Sequence, residues 1–155
     1  EIKTSDNQDG VDKTLEQLTS HRGDPHFLFT NLVDFDSEFG HRRDPEGYAN
    51  CLEEFDARLP ELLDALEPGD LFILTADHGN DPTFRGTDHT REYVPVLALQ
   101  KTDGTRSTQN AVDLGTRSSF TDAAATVADY FDIASDEGTS FLKETARRTT
   151  EQLNL

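Results

Sequence analysis

Two short apolar runs, "LFILTA" (71–76) and "VPVLALQ" (94–100), bracket a stretch, "DHGNDPTFRGTDHTREY", that is polar almost throughout. Both runs are β-rich and lack in–out alternation, as does "HFLFTNLV" (26–33), which is the signature of strands covered on both faces. Helical patterns separate them. Val11, Leu15 and Leu18 form a short amphipathic stripe, and Tyr48, Leu52, Phe55, Leu59, Leu62, Leu63 and Leu66 recur at three- and four-residue spacing. Asp44 is placed to cap this second helix with Pro45 in its first turn, while Pro60 is expected to kink or split it. "PGD" (68–70) and "DGTRSTQN" (103–110) read as turns, "TDAAATVADYF" (121–131) as a helix capped by Thr121, and "TSFLKETARRTTEQLNL" (139–155) as a helix that frays. Strands separated by helices predict an α/β fold, a parallel-sheet sandwich with helices on both faces.

The chain has 155 residues, one domain's worth. Its 31 acidic against 14 basic side chains leave a formal charge of −17, spread along the sequence. Such a field repels nucleic acid and anionic membranes, both of which are bound through clustered Lys and Arg. The acidity reads as solubility chemistry of the kind that suits a salty cytoplasm. One cysteine, Cys51, permits no internal disulfide and reads as a small core residue. No apolar run reaches the length of a membrane span and no signal peptide is visible, so the expected compartment is the cytoplasm. There is no Met, and residue 1 is Glu, which reads as a piece of something longer.

In an open parallel sheet, functional side chains gather in loops beyond the carboxyl ends of strands. "DFDSEFGHRRD" (34–44) and the loop from Asp77 each follow a predicted strand. Together they hold Asp34, Asp36, His41, Asp77, His78, Asp81, Asp88 and His89, including three of the five histidines. Any one of these could simply make a turn or a cap. The assembled set of carboxylates and imidazoles suits a divalent ion such as Mn²⁺ or Zn²⁺, and the lack of thiolates argues against a structural zinc site. Arg42, Arg43, Arg85, Arg91 and Arg117 lie in or near the same loops of an otherwise acidic chain. A guanidinium fork suits bidentate phosphate contact, although salt bridges to neighbouring carboxylates are the plainer use for some of them. Spacing alone leads to metal-dependent phosphate-ester chemistry and no further.

"FTNLVDFDSEFGHRRD", "LPELL", "ADHGNDPTFRGTDHTREYVPVL" and "LGTRSSFTD" closely resemble the phosphopentomutases of the alkaline phosphatase superfamily. "ADHG" is shared across that superfamily, whereas "GTDHTREYVPVL" joined to "DFD" and "GHRRD" points to the pentomutase branch. The resemblance runs from about "DGVDKTLE" to "GTSFL". It implies an alkaline-phosphatase-like core and a two-manganese site, with Asp77 and His78 on one metal and Asp36, His41 and His89 on the other. Asp34 and Asp88 are then left as supporting or capping groups. Arg42, Arg43, Arg85 and Arg91 are expected to surround phosphate.

The departure from the family is length, since its members run to roughly two to three times a domain of this size. By the resemblance, residues 1–155 form the C-terminal part of the metalloenzyme core, an incomplete half. The N-terminal part, with another Asp ligand and the phosphate-bearing threonine, and the cap domain are not in this sequence. No catalytic nucleophile is therefore expected here, and Thr30, Thr75 and Thr87 match no motif for one. The implied reaction interconverts ribose 1-phosphate and ribose 5-phosphate, and the 2-deoxyribose pair, with a sugar bisphosphate as activator. The implied partners are the pentose phosphate and the missing N-terminal half. Two alternatives stand: a phosphoglycerate mutase or phosphatase of the same superfamily, and an inactive structural half, prone to self-association through uncovered strand edges.

Overall fold

A computed structural model describes residues 1–102 and 111–145, which fall into two compact units. The predicted turn at 103–110 and the last part of the predicted C-terminal helix, 146–155, lie outside the described residues. The first unit comprises Glu1–Glu67 and His78–Pro95, the second Pro68–Asp77 and Val96–Leu155.

The first unit is built on helices α1 (Asn7–Ser20) and α2 (Pro45–Ala65). The α1 N-terminus is doubly satisfied. Asp6 accepts the Asp9 amide at 2.8 Å, and Asp34 Oδ2 accepts the Asn7 amide at 2.7 Å. Asn7 Oδ1 answers by accepting the Asp34 amide at 3.1 Å. Asp34 is thus a capping group, which links the entry of α1 to the loop that carries the candidate ligands. Along the helix pair, Arg58 of α2 donates to Gln8 (3.0 Å) and Asp12 (2.7 Å) of α1 and to Glu61 of its own helix. Val11, Cys51, Leu62 and Leu66 are buried beneath these contacts. Burial pushes the Cys51 thiol above its usual range, with the Asn7 amide 3.4 Å from its sulfur, so it packs as a small core residue.

Helix α2 starts as its sequence requires: Asp44 accepts the Gly47 amide at 2.9 Å and Pro45 takes the first turn. The expected break at Pro60 does not occur. The helix runs unbroken to Ala65, because Pro60 withholds one N–H from the Asp56 carbonyl while the Leu62 and Leu66 side chains on either side of the next turn are buried.

"HFLFTNLV" is not a strand among the described residues. Within it Phe27, Phe29 and Val33 are exposed while Leu28 and Leu32 are half-buried. Gly10 of α1 admits Leu32, since a Cβ there would lie 2.7 Å from Leu32 Cδ2. A strand is defined by ladder partners, and this extended stretch has none described beside it.

In the second unit, β1 (Leu71–Thr75) and β2 (Val96–Gln100) pair antiparallel, with Leu71 opposite Gln100 and Thr75 opposite Val96. The expected parallel sheet is not what the described residues form. No helix intervenes between these two strands, so nothing provides the crossover that a parallel pair needs, and a loop suffices for an antiparallel one. A two-stranded sheet leaves Leu97 59 % exposed, and does not make a sandwich.

Helix α3 (Thr121–Tyr130) is tied to the strands by Tyr130, whose hydroxyl donates to the Gly69 carbonyl at 3.1 Å. Thr121 is its first residue rather than its cap, and the Thr121 amide is taken by Ser119 Oγ at 3.2 Å. Asp122 is buried and accepts the Thr139 amide and the Arg117 guanidinium, each at 2.8 Å. Thr126 Oγ donates to the Asp122 carbonyl and accepts the Phe141 amide, which seats the fully buried Phe141 beside α3. A short helix α4 (Leu142–Thr145) follows. No described helix is long and apolar enough to cross a membrane.

Candidate metal centre

The stretch expected as a plain polar loop contains a π-helical turn, Phe35–Gly40. In an α-helix, residues four apart share a face, whereas the wider π turn brings residues five apart into register. The His41 amide donates to the Asp36 carbonyl at 2.9 Å, and the two side chains face one another with His41 Nε2 3.3 Å from Asp36 Oδ2. The turn is braced by aromatic contact with α2: Phe35 meets Tyr48 at 5.8 Å and Phe55 edge-on at 6.4 Å between centroids. Gly47 leaves space for the Phe39 ring, which a side chain would occupy.

The second loop is pinched at its base by an isolated bridge between Gly79 and Thr90, with the Thr90 amide donating to the Gly79 carbonyl at 3.0 Å. A Cβ on Gly79 would lie 2.9 Å from the Thr90 carbonyl oxygen, so glycine allows this approach. The pinch places the neighbouring residues His78 and His89 side by side, their rings stacked at 3.7 Å and 21°. Thr90 also accepts the Asp81 amide at 2.7 Å and donates to Glu92. Asp81 in turn accepts the Thr83 hydroxyl and amide, which hold its carboxyl below the usual range, so it is used in shaping the loop.

These two local structures converge. Asp36, His78 and His89 offer one ligand atom each, all within 4.8 Å of one another. His41 joins them: its Nε2 lies 3.0 Å from His89 Nε2, and His89 Nε2 lies 3.4 Å from Asp36 Oδ1. The tautomer of His41 follows from its other nitrogen. Nδ1 is 2.5 Å from the Thr87 carbonyl, which can only accept, so Nδ1 carries a proton and the ring is held with Nε2 turned into the cluster. Imidazole nitrogens and a carboxylate converging on one point are a donor set that fits a borderline divalent cation. Asp77, expected as a fifth ligand, is the last residue of the strand-bearing stretch in the second unit, exposed and directly preceding His78 in the chain.

The arginines part ways. Arg42 pairs with Glu38 at 2.7 Å and Arg117 with the buried Asp122. Arg85 and Arg91 are exposed on the second loop. Arg43, expected near phosphate, turns its guanidinium onto the protein itself, donating to the carbonyls of Gly40, Asp81, Gly86 and Asp88 and to Asn80 Oδ1. Sequence reasoning missed Asn80, whose Nδ2 donates to Asp36 Oδ1 at 2.6 Å. Its one signal was a polar side chain two residues after His78, too common a pattern to single out.

The profile of the metalloenzyme superfamily matches residues 2–135, spanning both loops and all of the converging side chains. The chain belongs to the metalloenzyme superfamily. The chain is 51 % identical over 143 residues to the curated phosphopentomutase of Alkaliphilus metalliredigens (strain QYMF), covering 92 % of the chain and 35 % of the relative. It is 53 % identical over 147 residues to the phosphopentomutase of Anaeromyxobacter sp. (strain K), covering 95 % and 36 %, respectively. The phosphopentomutase of Kosmotoga olearia is 51 % identical over 144 residues, again with 35 % of its length covered. The resemblance read from the motifs is borne out, and this metalloenzyme-superfamily chain spans about a third of the length of the curated relatives it matches.

Proposed function

We propose that the protein containing this chain is a phosphopentomutase, an isomerase moving a phosphoryl group between the 1- and 5-positions of ribose or 2-deoxyribose. The observation that carries this reading is the convergence of Asp36, His41, His78 and His89, within a sequence about half identical to curated phosphopentomutases. Asp77 would add a fifth ligand beside His78, and the family resemblance implies two Mn²⁺ ions at the site. Bound there, divalent ions neutralise phosphoryl oxygens and lower the pKa of a coordinated hydroxyl. The chain's own residues orient the ligands: Thr87 fixes the His41 tautomer and Asn80 holds one oxygen of Asp36. Arg85 and Arg91, exposed on the loop, are the groups offered to substrate phosphate, with Arg42 available only by leaving its pair with Glu38.

On this reading residues 1–155 are the C-terminal part of a core domain. The nucleophilic threonine, the remaining Asp ligand, the cap and the strands that would cover Phe27, Phe29 and Leu97 belong to the other two-thirds of the relatives' length. The protein would be primed by a sugar bisphosphate and work in nucleoside catabolism in the cytoplasm, a setting consistent with a lone buried cysteine. The test is turnover by the full-length protein. With MnCl₂ it should convert ribose 1-phosphate to ribose 5-phosphate and leave 3-phosphoglycerate untouched. Activity on 3-phosphoglycerate with none on the pentose phosphates would overturn the reading.

A further inference from the structure

We propose that Arg43 is a positioning residue that holds the ligand-bearing loop 78–90 against the π turn and so aligns the cation-binding side chains. Its backbone sits at φ 55°, the left-handed region that favours glycine and that an arginine keeps only when its surroundings hold it there. What holds it is the side chain. Nε donates to the Gly86 carbonyl at 2.5 Å. Nη1 donates to the Gly40 carbonyl (3.1 Å), Asn80 Oδ1 (2.7 Å) and the Asp81 carbonyl (2.9 Å), and Nη2 to the Asp88 carbonyl at 2.5 Å. Every one of these acceptors is a neutral oxygen. In a chain with 31 acidic side chains, a guanidinium directed at neutral oxygens contributes shape, by joining segments distant in sequence through its rigid fork.

Most of these contacts lie beside a ligand or beside a residue that touches one. Gly86 and Asp88 flank Thr87, whose carbonyl takes the Nδ1 proton of His41, and Asp88 immediately precedes His89. Asn80 passes the restraint on through its amide, accepting from Arg43 on one side and donating to Asp36 Oδ1 on the other. Of the two other acceptors, Gly40 directly precedes His41, and Asp81 shapes the loop between His78 and His89. One side chain therefore bears on the placement of Asp36, His41 and His89 while touching none of them. Outer partners of this kind commonly change metal affinity by about 10–100-fold when removed.

The inference rests on reading these side chains as metal ligands, and the experiment separates the two. Mn²⁺ binding to the full-length protein is measured by titration with MnCl₂, following free Mn²⁺ by electron paramagnetic resonance. Arg43→Gly, which removes the fork but relieves the positive φ, should still fold, as judged by a cooperative unfolding transition, and weaken Mn²⁺ binding about tenfold or more. Asn80→Ala should weaken it in the same direction. The double variant should lose less than the product of the two, because the residues act through one chain of hydrogen bonds. A second readout needs no metal: ¹⁵N-histidine spectra should show the Nδ1–H tautomer of His41 in the wild type and a mixture in Arg43→Gly. Wild-type affinity and an unchanged tautomer in a folded Arg43→Gly variant would overturn the inference alone. A wild-type protein that binds no Mn²⁺ removes the metal reading instead, and the tautomer measurement then decides the role of Arg43.

Discussion

Gly40 is where a single methyl group should do the most damage for its size. A Cβ at this position would stand 2.5 Å from Asn80 Nδ2, 2.7 Å from Asn80 Cγ and 2.8 Å from the Phe35 carbonyl oxygen. Carbon contacts settle at about 3.5–4.0 Å, so the Asn80 side chain has to retreat by about 1 Å. That is enough to break its 2.6 Å bond to Asp36 and its 2.7 Å bond from Arg43. The Phe35 carbonyl is backbone within the π turn and cannot swing aside cheaply. Overpacking of this sort costs about 1–3 kcal/mol. Because Asp36 is about a third exposed, water recovers much of the lost hydrogen bond, which adds about 1 kcal/mol. Gly40→Ala in the full-length protein should therefore lose about 2–4 kcal/mol of stability, measured by urea unfolding. Mn²⁺ affinity should fall at least tenfold, since each 1.4 kcal/mol at the site is a factor of about ten. Unfolding midpoint and Mn²⁺ affinity both at wild-type values would refute the close packing of Gly40 on Asn80 and its bearing on Asp36.

On the proposed function, Asp77→Asn and His89→Ala should each remove most pentose-phosphate turnover of the full-length protein, and wild-type turnover with saturating Mn²⁺ would sink their assignment as ligands. Asp34→Ala should cost about 1 kcal/mol through the lost cap on α1, read by thermal unfolding, with Mn²⁺ affinity kept within about twofold. The Thr139 amide and then the Arg117 guanidinium hold the buried Asp122 carboxyl below its usual range. Its folded pKa lies below its unfolded one, so its contribution is complete above about pH 3.9 and is lost as pH falls through the folded value. Asp122→Asn should accordingly flatten the acid limb of the stability–pH curve, and an unaltered limb would show that this carboxylate is not what acid titrates.

Helices were readable because their determinants are local. Asp44, Pro45 and the leucine spacing lie next to one another along the chain, and α2 begins where they say it should. Pro60 does not split the helix because the local rule is outweighed by burial of Leu62 and Leu66, which sequence periodicity suggests but does not weigh. The strand at 26–33 and the parallel sheet misled for a different reason. A β ladder needs a partner, and the apolar character of Phe27, Phe29 and Leu97 records that a face is to be covered without saying by what. At the site, the residue types and their two loops were legible. The fate of Arg43 was not, because a guanidinium suited to phosphate is equally suited to backbone carbonyls.

By itself, the sequence determined the chemistry available: which imidazoles and carboxylates lie in which loops, and through its motifs the family to which they belong. These depend on residue identity and order alone. Tertiary structure decided which atoms meet. The π turn set Asp36 against His41, the Gly79–Thr90 pinch set His78 against His89, and Arg43 and Asn80 bound the two loops together. Each of those contacts joins residues that the folded backbone brings together, so the order of residues along the chain does not by itself announce it.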